Sequence, residues 1–322
     1  MVDVYLPMMK AAAIISAGQL HLFEALSNGP MHLPQLAAAI GASEIGAGHL
    51  TDFLIAIGYL VQTDVGIANA PHATRWFTGR GGVDYTAGLL WTAESWSLMS
   101  NLTASVKKGA PEKTLWTSMQ ERPAWGPIFS AYMHAFAQHL GPDLLERVNL
   151  PSGSFKLLDL GGSHGLHSIG FCRKYPSLNA VIVDLPSALT ESQATIDAAG
   201  LSDRITLRPG NLLEGDWGEG YDAVFYLSVA HNQTATDNQR VIEHIARVLR
   251  PGGLLLIHEY LSGTKLDVYD AAFRLTLLVE TATRTYSYEE IGGWLAASGF
   301  EPPRRIDLEP REKGSLIVAA RR

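Results

Sequence analysis

Cysteine, charge and long apolar runs are all scarce in this 322-residue chain, and each shortage narrows the field. The lone cysteine, Cys172, excludes an internal disulfide and reads as a buried helix residue rather than a nucleophile. Charged residues make up 18% of the chain against 47% hydrophobic, and the formal charge is -7. That balance lacks the basic face that nucleic acid or an anionic membrane demands, so neither is expected as a partner. The most apolar early segment, 11–26, is interrupted by Ser16, Gln19, His21 and Glu24. No run reaches the roughly 20 apolar residues of a membrane span. Acidic Asp3 stands where a signal peptide would carry a basic start, and a cytoplasmic protein is expected.

What is present divides into three stretches: 1–100, 101–150 and 151–322. Apolar residues recur at helical spacing over 6–26 and stop at Asn28, Gly29 and Pro30. Short helices over 33–40 and 49–57, then two extended pieces around Asp64, outline a winged helix-turn-helix. Residues 1–100 hold only Lys10, Arg75 and Arg80 as basic groups against seven acidic ones, a face that repels phosphates. The segment is therefore read as a packing module through which two copies pair, not as a DNA reader. Residues 101–150 read as a helical linker rich in aromatics, with breaks at 109–111 and 123–127.

After Pro151 the pattern alternates between strand and helix, the signature of a doubly wound sheet. Strands are expected over 156–160, 180–184, 205–209, 223–227 and 254–259, with Pro251 to Gly253 as a tight turn into the fifth. Two late runs, 304–308 and 315–320, would pair antiparallel at the edge. The fold class is a Rossmann-like α/β domain with a mostly parallel seven-stranded sheet, beside the helical winged module.

The chemistry is carried by LLDLGGSHG at 157–165 and VIVDLP at 181–186. A strand running through an aspartate into glycines, then a second strand ending in an acid, is how a βαβ unit holds an adenosine-bearing cofactor. Asp184 can accept from both ribose hydroxyls. Such a turn serves both NAD and S-adenosylmethionine; here the glycines are not spaced GxGxxG and no basic residue stands in the turn for phosphates.

With these motifs, GNL at 210–212, LSVAHN at 227–232, LRPGG at 249–253, HE at 258–259 and RTYSYEEI near the end, the chain resembles one family over its whole length. This family is the two-domain S-adenosylmethionine-dependent O-methyltransferases of the plant caffeic acid and acetylserotonin type, with their bacterial natural-product branch. The resemblance implies that Gly161, Gly162, Asp184, Leu185, Gly210, Asn211, Leu212 and Ser228 bind the cofactor. It also implies that His231 is the general base and Glu259 its support. Phe129, Met133, His134, Asn232, Phe273 and Leu277 would line the acceptor pocket, and no metal is implied. An imidazole suits removal of a phenolic proton at neutral pH.

The chain departs from the family pattern at four places. Asn211 and Asn232 stand where Asp is usual, Thr283 where an acid precedes Arg284, and His164 where a small residue is usual. The expected reaction is O-methylation of a small aromatic metabolite by a homodimer. The lost carboxylates leave open C- or N-methylation, or a cofactor-assisted reaction without methyl transfer.

Overall fold

In the computed structural model, which describes residues 2–153, 155–263, 268–310 and 313–322, the chain divides into two compact units. One comprises Met1–Ser97 with Pro127–His139, the other Leu98–Gly126 with Leu140–Arg322.

The first unit opens with α1 (Val2–Gln19) and α2 (Leu22–Ala25), so the single helix expected over 6–26 is broken. His21 makes the break in a left-handed backbone (φ 54°). Its cost of about 1 kcal/mol is offset by the burial of Leu22, Phe23 and Leu26 that the turn permits. Then come α3 (Leu33–Ala39) and α4 (Glu44–Ala56). The Ser43 hydroxyl accepts from Gly46 N at 3.1 Å, which starts α4 five residues before the expected His49. β1 (Leu60–Thr63) and β2 (Gly66–Asn69) form the expected antiparallel wing. α5 (Pro71–Phe77) and α6 (Thr86–Met99) follow, and Leu22, Phe23, Leu36, Leu54, Leu60 and Ala73 form the core.

α7 (Leu102–Lys108), α8 (Leu115–Glu121) and α9 (Trp125–Arg147) occupy the middle of the chain. Pro127, expected as a break, lies in the first turn of α9, where the missing N–H has no helical partner to lose.

The α/β domain runs β3 (Lys156–Leu160), α10 (Leu166–Lys174), β4 (Asn179–Asp184), α11 (Ser192–Ala198), β5 (Ile205–Pro209), β6 (Tyr221–Leu227), α12 (Ala235–Val248) and β7 (Leu249–Glu259). It ends with α13 (Val268–Glu280), α14 (Tyr288–Ala297), β8 (Arg304–Asp307) and β9 (Ser315–Ala320). Seven strands lie in the order β5-β4-β3-β6-β7-β9-β8, with β3 to β7 parallel and β8 and β9 antiparallel. Sequence order reverses between β3 and β6, so the carboxyl ends of these strands flank the topological switch where α/β sheets bind ligands. Pro251 to Gly253 do not form the expected turn between elements. They lie within β7, where pairing passes from Tyr221↔Leu249 to Ala223↔Leu254 and the extra residues bulge. The amphipathic α12 buries Val241, Ile242 and Ile245 against Leu158, Val224 and Leu255 of the sheet.

Among the described residues, no helix is long and apolar enough to cross a membrane. Cys172 is buried in α10, and burial pushes its thiol up to about 11, so it is held as an inert thiol.

Candidate active site

Five strand ends of the α/β domain, those of β3 to β7, carry the predicted chemistry. β3 delivers the chain into the glycine turn, where Gly161 has φ +73° and a Cβ would lie 2.5 Å from Val229 Cγ2. A Cβ on Gly162 would lie 2.6 Å from Asp159 Cγ. Only a bare backbone fits at either position; Gly161 N donates to Val183 O and Gly162 O accepts from Gly165 N, each at 2.8 Å, which fixes the turn. Asp159 is fully buried beneath this turn, accepting from the Ser168 hydroxyl at 2.7 Å, and burial pushes its carboxyl up to about 7.

Asp184, the last residue of β4, reaches back to the turn. Its Oδ2 accepts from Ser163 N at 3.0 Å and its Oδ1 from Leu185 N at 2.7 Å. Burial pushes the carboxyl up to about 6, against the lowering effect of these two backbone bonds. Each oxygen keeps a lone pair for a further donor, as two ribose hydroxyls require. Gly210 N donates to Asp184 O at 2.9 Å, which brings the end of β5, with Asn211 and Leu212, beside the same carboxylate.

The Asn211 side chain is engaged locally. Its Oδ1 accepts from Leu213 N at 3.0 Å and its Nδ2 donates to Glu214 Oε1 at 3.2 Å. One lone pair of Oδ1 remains for an exocyclic amine. An aspartate here would face Glu214 with a second negative charge, which accounts for an amide at this position.

His164 accepts from Leu166 N at 3.1 Å through Nδ1 and so closes the start of α10. Its ring meets His167 edge-on at 5.6 Å. Burial drives His167 down to about 3, holding it neutral. Among the described residues, no three His, Cys, Asp or Glu side chains are placed to share a metal ion.

Beyond β6 the chain makes a short turn, Ala230–Asn232, that carries His231. Glu259 ends the adjacent β7 and is buried. Its Oε2 lies 2.8 Å from His231 Nδ1, and its Oε1 accepts from His231 N at 3.2 Å. A carboxylate can only accept, so Nδ1 carries the proton and Nε2 of the neutral ring presents its lone pair. Both imidazole face and backbone are fixed by further contacts: Phe273 packs edge-on at 5.2 Å, and the Thr283 hydroxyl donates to His231 O at 2.5 Å.

Beneath the turn, the fully buried Asn238 of α12 donates to Ala230 O at 2.9 Å and accepts from the Tyr226 hydroxyl at 2.8 Å. The Tyr286 hydroxyl donates to Gln233 O at 2.6 Å. Asn238, Tyr226, Tyr286 and Thr283 therefore position the imidazole, and sequence reasoning assigned none of them this role. The only available signal was a lone Asn at an apolar-face position of an amphipathic helix.

Ser228 stands at the end of β6 in a left-handed backbone (φ 57°). His258 Nε2 lies 2.6 Å from Lys313 O and must donate to it, so Nδ1 is an acceptor and the Ser228 hydroxyl donates to it at 2.7 Å. That hydroxyl's proton is thus spent on the core, as is Ser228 N, which donates to His258 O at 2.9 Å. Gly161, Gly162, Asp184, Gly210, Asn211 and the His231–Glu259 pair are brought to the carboxyl edge of the sheet. Phe273 and Leu277 share one face of α13, Phe273 against His231 and Leu277 buried. Asn232 is partly buried in the His231 turn. Phe129, Met133 and His134 lie on the stretch of α9 that belongs to the first unit.

Comparison with known proteins bears on this geometry. The O-methyltransferase domain family matches residues 100–301. The chain is 28% identical over 314 residues to a 3-hydroxy-5-methyl-1-naphthoate 3-O-methyltransferase of Streptomyces sahachiroi, covering 94% of this chain and 90% of that one. It is 26% identical over 324 residues to an L-tyrosine C(3)-methyltransferase of Streptomyces lavendulae, covering 95% and 88%. Human N-acetylserotonin methyltransferase, solved with S-adenosylmethionine, superposes with a TM-score of 0.88 at 18% identity, over 99% of this chain and 96% of that one.

Proposed function

Given that the chain belongs to the O-methyltransferase domain family and is an S-adenosylmethionine-dependent methyltransferase, we propose that it methylates a hydroxyl on a small aromatic metabolite with His231 as general base. The observation that carries this reading is the 2.8 Å bond from His231 Nδ1 to Glu259, which commits the ring to the tautomer with a free Nε2.

The residues present fit the cofactor. The Cβ-free turn at Gly161 and Gly162 accommodates the methionine part, the spare lone pairs of Asp184 take the ribose hydroxyls, and Leu185, Gly210, Asn211, Leu212 and the Ser228 backbone frame the adenine side. When bound, S-adenosylmethionine supplies a sulfonium methyl already activated for displacement, so the protein has to orient the acceptor and remove one proton. His231 Nε2 takes that proton. Glu259 keeps the ring oriented and stabilises the imidazolium, as a buried carboxylate does in other histidine-based sites. Phe273 and Leu277 would offer an apolar flank to an aromatic ring. Phe129, Met133 and His134 are assigned to acceptor selection on the resemblance alone.

Similarity to an L-tyrosine C(3)-methyltransferase supports a second reading, methylation at ring carbon. Removal of a phenolic proton raises electron density at the oxygen and at the adjacent ring carbons alike, so one base serves both outcomes. The alignment of the acceptor decides which atom receives the methyl.

The test is turnover of a hydroxynaphthoate and of L-tyrosine with methyl-labelled cofactor, the product being identified as ether or C-methyl by NMR. His231→Ala should lose roughly 100- to 10,000-fold in kcat while binding S-adenosylhomocysteine normally by calorimetry. Full activity in that variant would refute the base assignment.

We also propose that the chain acts as a cytoplasmic homodimer pairing through its first hundred residues, since Val2, Val4, Tyr5, Leu6 and Met8 of α1 are exposed. A monomeric mass by light scattering at micromolar concentration would end that proposal.

A further inference from the structure

The sequence places no acid at positions 232 and 283, yet the structure brings a carboxyl to His231 from elsewhere. Phe273, Leu277 and Glu280 stand at i, i+4 and i+7 on α13 and so share one face of the helix. Phe273 packs on the His231 ring at 5.2 Å, and Leu277 is buried below it. The chain leaving α13 is fastened to the same turn, because the Thr283 hydroxyl, bonded to Thr281 Oγ1, donates to His231 O. Glu280 closes that helical face and lies in the electrostatic field of His231.

Its carboxyl has no hydrogen-bond or ion-pair partner among the described residues. Nearby charges are committed elsewhere: Asp270 pairs with Arg274, Arg284 with Glu290, and Glu259 with His231 itself. Glu280 is half-buried, and a partly desolvated carboxyl in the field of a histidine marks a functional position more often than a structural one.

We propose that Glu280 is a positioning residue for His231, a second carboxyl that stabilises the imidazolium formed when the acceptor's proton arrives. It restores from the end of α13 a charge that the chain lacks at positions 232 and 283. Burial pushes the Glu280 carboxyl up to about 7, and the charge of His231 draws it down. Proton arrival at the imidazole therefore favours the Glu280 carboxylate. The role in turnover rests on His231 being the base, whereas the coupling between the two side chains does not.

The test uses the full chain as wild type, Glu280→Gln, Glu280→Asp, His231→Asn and the Glu280→Gln/His231→Asn double variant. Melting temperature and S-adenosylhomocysteine affinity serve as checks of fold. By pH-difference infrared spectroscopy, the wild type should show a carboxylic acid band with a midpoint near 7 that Glu280→Gln removes. In His231→Asn that midpoint should rise by about half a pH unit or more. An unchanged midpoint, or no band assignable to Glu280, overturns the proposal.

In turnover of a hydroxynaphthoate or L-tyrosine, Glu280→Gln should lower kcat roughly 5- to 30-fold with KM and S-adenosylhomocysteine affinity unchanged, and Glu280→Asp should recover part of the loss. Within His231→Asn it should cost nothing further. A full additional loss there would mean that Glu280 acts on the acceptor directly, and wild-type kcat in Glu280→Gln would mean that it does not act; either overturns the proposal. Wild-type turnover in His231→Asn would instead overturn the base assignment and the catalytic role built on it, leaving the infrared coupling to stand by itself.

Discussion

Glu259→Gln is the sharpest perturbation of this site, because it preserves shape and removes one acceptor. Both oxygens of Glu259 are in use, one accepting from His231 Nδ1 at 2.8 Å and the other from His231 N at 3.2 Å. A glutamine has one acceptor oxygen and one donor nitrogen. If its oxygen keeps Nδ1–H, its NH2 confronts the backbone N–H; if it flips, the proton is driven to Nε2 and the base is blocked. The first orientation loses a bond and the second loses the free Nε2, and either removes the charge that stabilises the imidazolium. A hydrogen bond to a charged group contributes about 1.5–3 kcal/mol, and two unit charges 4 Å apart near a protein surface interact by about 4 kcal/mol. Those bounds translate into a fall in kcat of roughly 10- to 1,000-fold. The assay is release of S-adenosylhomocysteine from a series of phenols of graded acidity, with product affinity measured separately. An acceptor already ionised at the assay pH needs no base, so the penalty should shrink along the series. A kcat within threefold of wild type for the least acidic phenol, in a folded variant, would refute the tautomer argument.

Three further outcomes follow from the geometry. Asp159 titrates near 7 in the fold against 3.8 in the unfolded chain, so the native state holds its proton longer and stability falls as pH rises between those values. Asp159→Asn should therefore gain up to about 4 kcal/mol at pH 8 and change little at pH 4, as read by denaturant melts; a gain equal at both pH values would contradict this. Asn238→Ala strips partners from Ala230 O and Tyr226, which should cost about 2–3 kcal/mol of stability and reduce kcat more than S-adenosylhomocysteine affinity. A loss confined to cofactor affinity would sever Asn238 from the His231 turn. Gly161→Ala forces a side chain into a left-handed backbone 2.5 Å from Val229; calorimetry should show S-adenosylhomocysteine binding weakened at least tenfold, and unchanged affinity would displace the turn from the cofactor site.

Much of this arrangement was visible in the sequence, for reasons particular to each element. β3 and β9 announced themselves as short apolar runs between turn residues and β5 as an alternating one, and His231 and Glu259 stand next to strand ends, where parallel-sheet topology forces functional groups together. Pro251 to Gly253 misled because three turn-forming residues can also bulge out of a strand when a neighbouring segment supplies hydrogen bonds, here Arg321. Asn238 and Tyr226 were invisible as a unit, since they meet only after α12 packs on β6. Glu280 was hidden by register: the acid was sought immediately before Arg284, whereas the helix delivers one a turn earlier. The departures at 211 and 164 acquired local explanations, Asn211 through Glu214 and His164 through Leu166 N, that no residue count discloses.

The Asp184 carboxylate is bonded to Ser163 N inside the glycine turn. The group assigned to the ribose is therefore also the latch that closes the loop around the rest of the ligand. Affinity for the two ends of the cofactor cannot be adjusted separately at this residue: a change that relaxes sugar recognition also slackens the grip on the amino-acid end. Drift toward a different nucleoside is thus more accessible at Asn211, whose bonds stay within its own turn, than at the acid on which both halves of the site depend.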